Sequence, residues 1–102
     1  MNECPTPINL NFMGVAFLGI GAGQKPLAIL NFYRKANSIA AEFNRARKYA
    51  LQGRKEKARV SIEKVEEDVQ KNIKKERGVY SIIFVQMQTK VTELKNYLNH
   101  AN

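Results

Sequence analysis

The side chains that most often perform acid–base or nucleophilic chemistry are scarce in this chain of 102 residues. It contains one cysteine, Cys4, and one histidine, His100, which is two residues from the last position. A disulfide framework or a Cys/His zinc site needs more of these residues. A Ser-His-Asp triad would depend on that single late histidine. We therefore expect no enzymatic activity, no metal or other cofactor, and no small-molecule substrate.

A glycine-rich stretch, from Gly19 to Gly23, follows an apolar run and has some likeness to a phosphate-binding loop. The dinucleotide-binding pattern G-x-G-x-x-G requires a third glycine where Gln24 stands. No Walker-type lysine followed by serine or threonine comes after it, and no alternation of strand and helix surrounds it. A nucleotide-binding loop is therefore not expected.

Positive charge is the main chemical feature of the sequence. Lys and Arg number 17 against 9 Asp and Glu, so the formal net charge is +8. Residues 45–59, the basic block, hold seven basic residues and one acidic residue, a net charge of +6. The basic residues are Arg45, Arg47, Lys48, Arg54, Lys55, Lys57 and Arg59. Such a density is attractive to phosphates, because each neutralised phosphate releases counterions.

The partner of the basic block stays open at this point. Nucleic acid, an anionic membrane surface or an acidic protein surface would each suit it, and Tyr49 within the block could stack on a base. An ordinary solvated helix surface is the alternative, since cations near a helix C-terminus are favoured by its dipole. No recognisable DNA-reading module is present, so sequence-specific readout is not predicted.

The amino-terminal region has a different character. Residues 5–24 contain no ionisable side chain, and they hold four of the six glycines. Asparagine, proline and glycine dilute this region, which argues against a stable membrane span. An arm that packs on the helices or on a partner is one interpretation, and membrane contact is the other. The candidate contact residues are Phe12, Met13, Phe17, Leu18 and Ile20.

Beyond residue 25, apolar residues recur every three or four positions, as on the buried face of an amphipathic helix. The three stretches that follow this spacing comprise Ile29, Tyr33, Ala36, Ala40, Phe43 and Ala50; then Ala58, Ile62, Val65, Val69 and Ile73; and then Tyr80, Ile83, Met87, Val91, Leu94 and Leu98. Gly53 and Gly78, which separate the stretches, are suited to helix ends. The run YSIIFV is also typical of a strand, but the continuing helical spacing favours a helix.

These stretches predict an all-α fold with helices at about 26–52, 54–77 and 79–99. Short turns would make neighbouring helices antiparallel. Two architectures stay open, since one glycine costs only about 1 kcal/mol inside a helix. They are a three-helix bundle and a helical hairpin in which the last two stretches form one helix. Residues 1–25 form the predicted apolar arm, which we expect to serve assembly, and residues 26–102 form the helical domain.

The long first helix opens with Asn31-Phe32-Tyr33, and Gly53-Arg54 with Glu56, Lys57 and Ala58 lead into the second. Over residues 26–75 this arrangement resembles the helical modules of phage and mobile-element polyproteins called large polyvalent protein-associated domains. In its small size, basic charge and helical content the chain is also similar to phage ejection proteins and to phage-encoded inhibitors of bacterial enzymes. The resemblance implies a non-catalytic module that accompanies phage or plasmid DNA.

Two functions are consistent with these features. The first is a non-enzymatic phage or mobile-element structural or assembly protein, such as an internal or ejected virion component. It would contact a protein partner or a second copy, and also membrane or nucleic acid, in the virion or the host bacterial cytoplasm. The alternative is a small basic phage-encoded inhibitor or nucleic-acid-binding protein that acts through the patch from Arg45 to Arg59. The cysteine content does not indicate a disulfide-rich secreted protein.

Overall fold

A computed structural model describes residues 3–10 and 26–100 of the chain. In these ranges it contains three helices, α1 (Pro26–Leu51), α2 (Lys55–Lys75) and α3 (Val79–His100). The predicted all-α fold is confirmed, and so is its three-helix form. The run YSIIFV lies inside α3, so the helical spacing overrode the strand propensity of its residues.

A glycine with a positive φ angle stands between each pair of successive helices. Gly53 has a φ angle of 78° and Gly78 one of 65°, in the left-handed region that favours glycine. After α1, the amide N–H of Arg54 donates to the carbonyl oxygen of Tyr49 at 2.9 Å, which closes the helix end. Gly78 therefore separates α2 from α3. The helical hairpin, in which these two stretches would form one long helix, is not the structure adopted.

The core lies along α2, which packs against both of the other helices, whereas α1 and α3 have few direct contacts with each other. Phe43 of α1 and Phe84 of α3 are fully buried, as are Ile62 and Val65 of α2. Near the Gly78 turn, aromatic rings of α1 and α3 contact each other. The ring centroids of Phe32 and Phe84 are 5.5 Å apart. Most residues of the three predicted apolar stretches are therefore buried, and Phe32, Ile39 and Phe84, which lie outside those stretches, also belong to the core.

Residues 3–10, here called the amino-terminal segment, lie in the gap between α1 and α3 and bond to both helices. Ile8 is only 5% exposed and belongs to the core. Its amide N–H donates to Oδ1 of Asn44 at 2.9 Å, and Nδ2 of Asn44 donates to its carbonyl oxygen at 3.2 Å. On the other side, Nζ of Lys90 donates to the carbonyl oxygen of Thr6 at 2.9 Å and to its Oγ1 at 2.6 Å. This part of the predicted arm therefore packs as part of the helical domain.

The remainder of the predicted arm lies outside the described residues. That remainder includes the candidate contact residues Phe12, Met13, Phe17, Leu18 and Ile20. The bundle measures 48 × 22 × 17 Å, with the Gly53 turn and the Gly78 turn at opposite ends of α2. Among the helices that the structure describes, none has both the length and the apolar character needed to cross a membrane.

Candidate anion-binding site

The basic block forms one end of the bundle, because it covers the last turns of α1, the Gly53 turn and the start of α2. The turn reverses the chain, so cations that lie up to fourteen positions apart in sequence share this end of the molecule. Lys48, Arg54 and Lys57 are exposed, and Lys55 is half-buried. We call this surface the basic end.

Tyr49 organises the centre of the basic end. Its ring is half-buried and packs against the hydrophobic core. The guanidinium carbon of Arg54 lies 5.1 Å from the ring centroid, and Nζ of Lys57 lies 5.8 Å from it. Both distances are in the range of cation–π attraction, which is about 0.5–1 kcal/mol at exposed sites. The ring therefore holds two cations near each other, a role that differs from the base stacking considered from the sequence.

Two other cations of the block are paired with acids of their own helix. Arg45 contacts Oε2 of Glu42 at 2.9 Å, and Arg59 contacts Oε1 of Glu56 at 2.8 Å. Both pairs have i, i+3 spacing and lie at the surface, where an ion pair contributes about 0–1 kcal/mol. These two arginines are therefore already partly neutralised, which distinguishes them from Arg54 and Lys57.

Arg47 has a structural role that the sequence did not indicate. Its Nε donates to the carbonyl oxygen of Pro5 at 2.7 Å, so the side chain lies toward the amino-terminal segment. Burial raises the pKa of the neighbouring Cys4 thiol, and the positive charge of Arg47 lowers it in part. Arg47 therefore fixes the segment to α1.

On the side of α2 that faces α3, the acidic residue Glu66 bonds to two side chains of α3. Oε1 of Glu66 accepts a bond from Nζ of Lys95 at 2.9 Å, and its Oε2 accepts one from Nε2 of Gln88 at 3.0 Å. The bond from Lys95, followed by that from Gln88, lowers the pKa of the Glu66 carboxyl, although partial burial opposes the shift. Glu66 thus stabilises the α2–α3 contact, whereas Glu56 of α2 lies beside Tyr49 and Lys57.

The residues that anchor the amino-terminal segment were not among the candidates taken from the sequence. Asn44 and Lys90 lie 46 positions apart, on different helices, and neither follows a spacing that marks a site. Only their position beside the gap between α1 and α3 gives them this role. No sequence signal could have found them without knowledge of where residues 3–10 lie.

Within residues 3–10 and 26–100, no group of three or more His, Cys, Asp or Glu side chains is arranged to hold a metal ion. Comparison of the chain with known protein families, with curated proteins and with solved structures finds no match.

Proposed function

We propose that this chain is a non-enzymatic binding protein whose basic end engages a phosphate-bearing polymer, with nucleic acid as the partner. The observation that supports this most directly is the pair of cations, Arg54 and Lys57, held against the ring of Tyr49. Cations fixed in place lose less conformational entropy when they bind than freely moving ones do. Lys48 and Lys55 extend the same positive surface.

Binding of this kind depends on charge and does not read base sequence. Counterion release makes the logarithm of the affinity fall linearly with the logarithm of the salt concentration, with a slope of about 0.9 per contacted phosphate on duplex DNA. We therefore expect similar affinities for unrelated duplexes and a marked salt dependence. A change of sequence in the duplex is expected to change the affinity little.

The test compares two double variants that lose the same charge. Arg54→Gln with Lys57→Gln removes the cations at Tyr49, whereas Lys74→Gln with Arg77→Gln removes exposed cations at the other end of α2. Binding to a labelled duplex of about 16 base pairs is followed by fluorescence anisotropy at several salt concentrations. In the first variant, the slope of log affinity against log salt concentration is expected to fall by up to about 0.9 for each phosphate contact that is lost. An equal salt slope in both variants would overturn the proposal.

A charge-neutral variant separates positioning from charge. Tyr49→Leu keeps an apolar side chain on the core but removes the ring, while Tyr49→Phe keeps the ring. If the ring positions the cations, Tyr49→Leu weakens binding by up to about fivefold, which corresponds to about 1 kcal/mol. Tyr49→Phe should bind like the unchanged protein. Arg47 is left out of all these variants because it holds the amino-terminal segment.

A second candidate function, assembly into a larger phage or mobile-element complex, is also proposed. It would place the protein in the virion or in the host bacterial cytoplasm. It is favoured by two apolar side chains on the outer surface of α3, Ile82 and Val85, which are 56% and 49% exposed and lie one turn apart. Adjacent exposed apolar residues are typical of protein contacts. Ile82→Ser with Val85→Ser should reduce the mass of any self-assembled species in light scattering, and an unchanged mass would count against self-assembly through this surface.

A further inference from the structure

The groove between α1 and α2, near the Gly78 turn, brings together cations from two helices. Arg34 and Lys35 of α1 face Lys71 and Lys75 of α2 across a cavity of about 410 Å³. Ser38 also lines this cavity, which we call the lower groove. Arg34 and Lys35 precede the basic block in the sequence, so the charge pattern alone did not connect them with Lys71 and Lys75.

Cations outnumber acids in the lower groove. Asp68 is the acidic residue that lines it, and Glu76 contacts Nζ of Lys35 at 3.5 Å. The side chain of Lys35 lies close to that of Lys75 and lowers the pKa of Lys75. The repulsion between their positive charges lowers it further. An anion placed between such like charges would relieve their repulsion.

A row of three lysines on α2 leads from the lower groove toward the basic end. Lys57, Lys64 and Lys71 are exposed and follow one another at intervals of seven residues, which is close to two helical turns. Lys57 contacts Tyr49 of α1 and Lys71 lines the lower groove, and the helical spacing places Lys64 between them on the same face of α2. Cations thus follow the α1–α2 side of the bundle from one end toward the other.

We infer that the lower groove is a second phosphate-binding site, and that one nucleic-acid backbone lies along the α1–α2 side and contacts both ends. This inference rests on the proposed function, since it assigns the same partner to the basic end. Arg34 and Lys75, exposed and on opposite sides of the groove, would contact phosphate oxygens directly. Ser38 would add a neutral hydrogen-bond donor.

The length of the ligand distinguishes one site from two. Arg34 and Tyr49 are separated along α1 by about 22 Å, given a rise of about 1.5 Å per residue. A DNA hairpin with a stem of about five base pairs, at about 3.4 Å each, is too short to reach both sites, whereas a stem of about sixteen base pairs exceeds the distance. The unchanged protein should therefore bind the longer stem more tightly and with a steeper salt slope.

The groove variant is Arg34→Gln with Lys75→Gln, and its control is again Lys74→Gln with Arg77→Gln. Lys74 and Arg77 do not line the lower groove, although they lie next to it in sequence and carry the same charge. The unchanged protein should bind the long stem more tightly than the short one, and the groove variant is expected to lose most of this difference. Its slope of log affinity against log salt concentration should also fall by up to about 0.9 per missing phosphate contact. The control should keep both.

The outcomes separate this inference from the proposed function. If the groove variant matches its control while Arg54→Gln with Lys57→Gln still weakens binding, the inference is wrong and the basic end remains the site. If the unchanged protein binds neither stem, both ideas fail together. Vesicles rich in anionic lipid form a parallel arm, and binding to vesicles without binding to DNA would overturn the assignment to nucleic acid.

Discussion

Arg47 is a residue whose charge serves the fold, although it lies inside the most basic part of the sequence. Its bond to the carbonyl oxygen of Pro5 is short and partly shielded from water. A hydrogen bond to a charged group contributes about 1.5–3 kcal/mol, and more is lost if the carbonyl oxygen is left without a partner. We expect Arg47→Gln to lower the free energy of unfolding by about 1–3 kcal/mol, measured by chemical denaturation.

Arg45 provides the matched control for this prediction. It is two positions away, carries the same charge and pairs with Glu42 at the surface. Arg45→Gln should change stability by less than about 0.5 kcal/mol. If the two variants are equally stable, the Arg47–Pro5 bond does not hold the segment. The seven cations look alike in the sequence, and only the position of Pro5 beside α1 sets Arg47 apart.

At the scale of the helices, two neighbouring isoleucines test the face that α3 turns to the core. Ile83 is 6% exposed and Ile82 is 56% exposed. Ile83→Ala should lower the free energy of unfolding by about 2–5 kcal/mol, because it leaves a cavity among packed side chains. Ile82→Ala should change it by less than about 0.5 kcal/mol. Thermal unfolding followed by circular dichroism measures both, and a reversed order would mean that α3 faces the other way.

The helices could be predicted because their determinants are local. Apolar residues three or four apart place Phe43, Val65 and Met87 on one face of their helices, and each is buried. Gly53 and Gly78 mark the turns for an equally local reason, since both have positive φ angles. The docking of residues 3–10 depends instead on Asn44 and Lys90, which are distant from them in sequence. The sequence therefore showed the apolar composition of the arm but not where it binds.

The contact between α2 and α3 has a predictable pH dependence. Since folding lowers the pKa of Glu66 below its ordinary value of 4.5, the ionised carboxylate stabilises the folded state above that pH. This contribution is lost as the pH falls through the lowered pKa. It is expected to be less than about 1 kcal/mol, because both partners are partly exposed.

Two substitutions measure this contribution. Glu66→Gln and Lys95→Met should each be less stable than the unchanged protein at neutral pH, and the difference should shrink as the pH falls below 4.5. Lys64→Met removes the same charge from the α1 side of α2 and serves as the control. A stability difference that stays constant with pH would show that the ion pair does not cause it.

At the scale of the whole molecule, the amino-terminal segment joins two helices that otherwise have few direct contacts. Asn44 and Arg47 hold it on α1, and Lys90 holds it on α3. Deletion of residues 1–10 removes Ile8 from the core and all of these bonds. We expect the helices to remain and the free energy of unfolding to fall by about 2–5 kcal/mol, as measured by urea denaturation monitored by circular dichroism.

The deletion can be combined with Asn44→Ala to show that the segment causes the change. In the full chain, Asn44→Ala leaves the N–H and carbonyl oxygen of Ile8 without their partner, and should cost about 1–3 kcal/mol. In the chain that lacks residues 1–10 that partner is already gone, so the same substitution should cost much less. Strong non-additivity of this kind is the signature of direct contact. Equal costs in both chains would mean that Asn44 stabilises α1 by itself and that the segment does not brace α1 against α3.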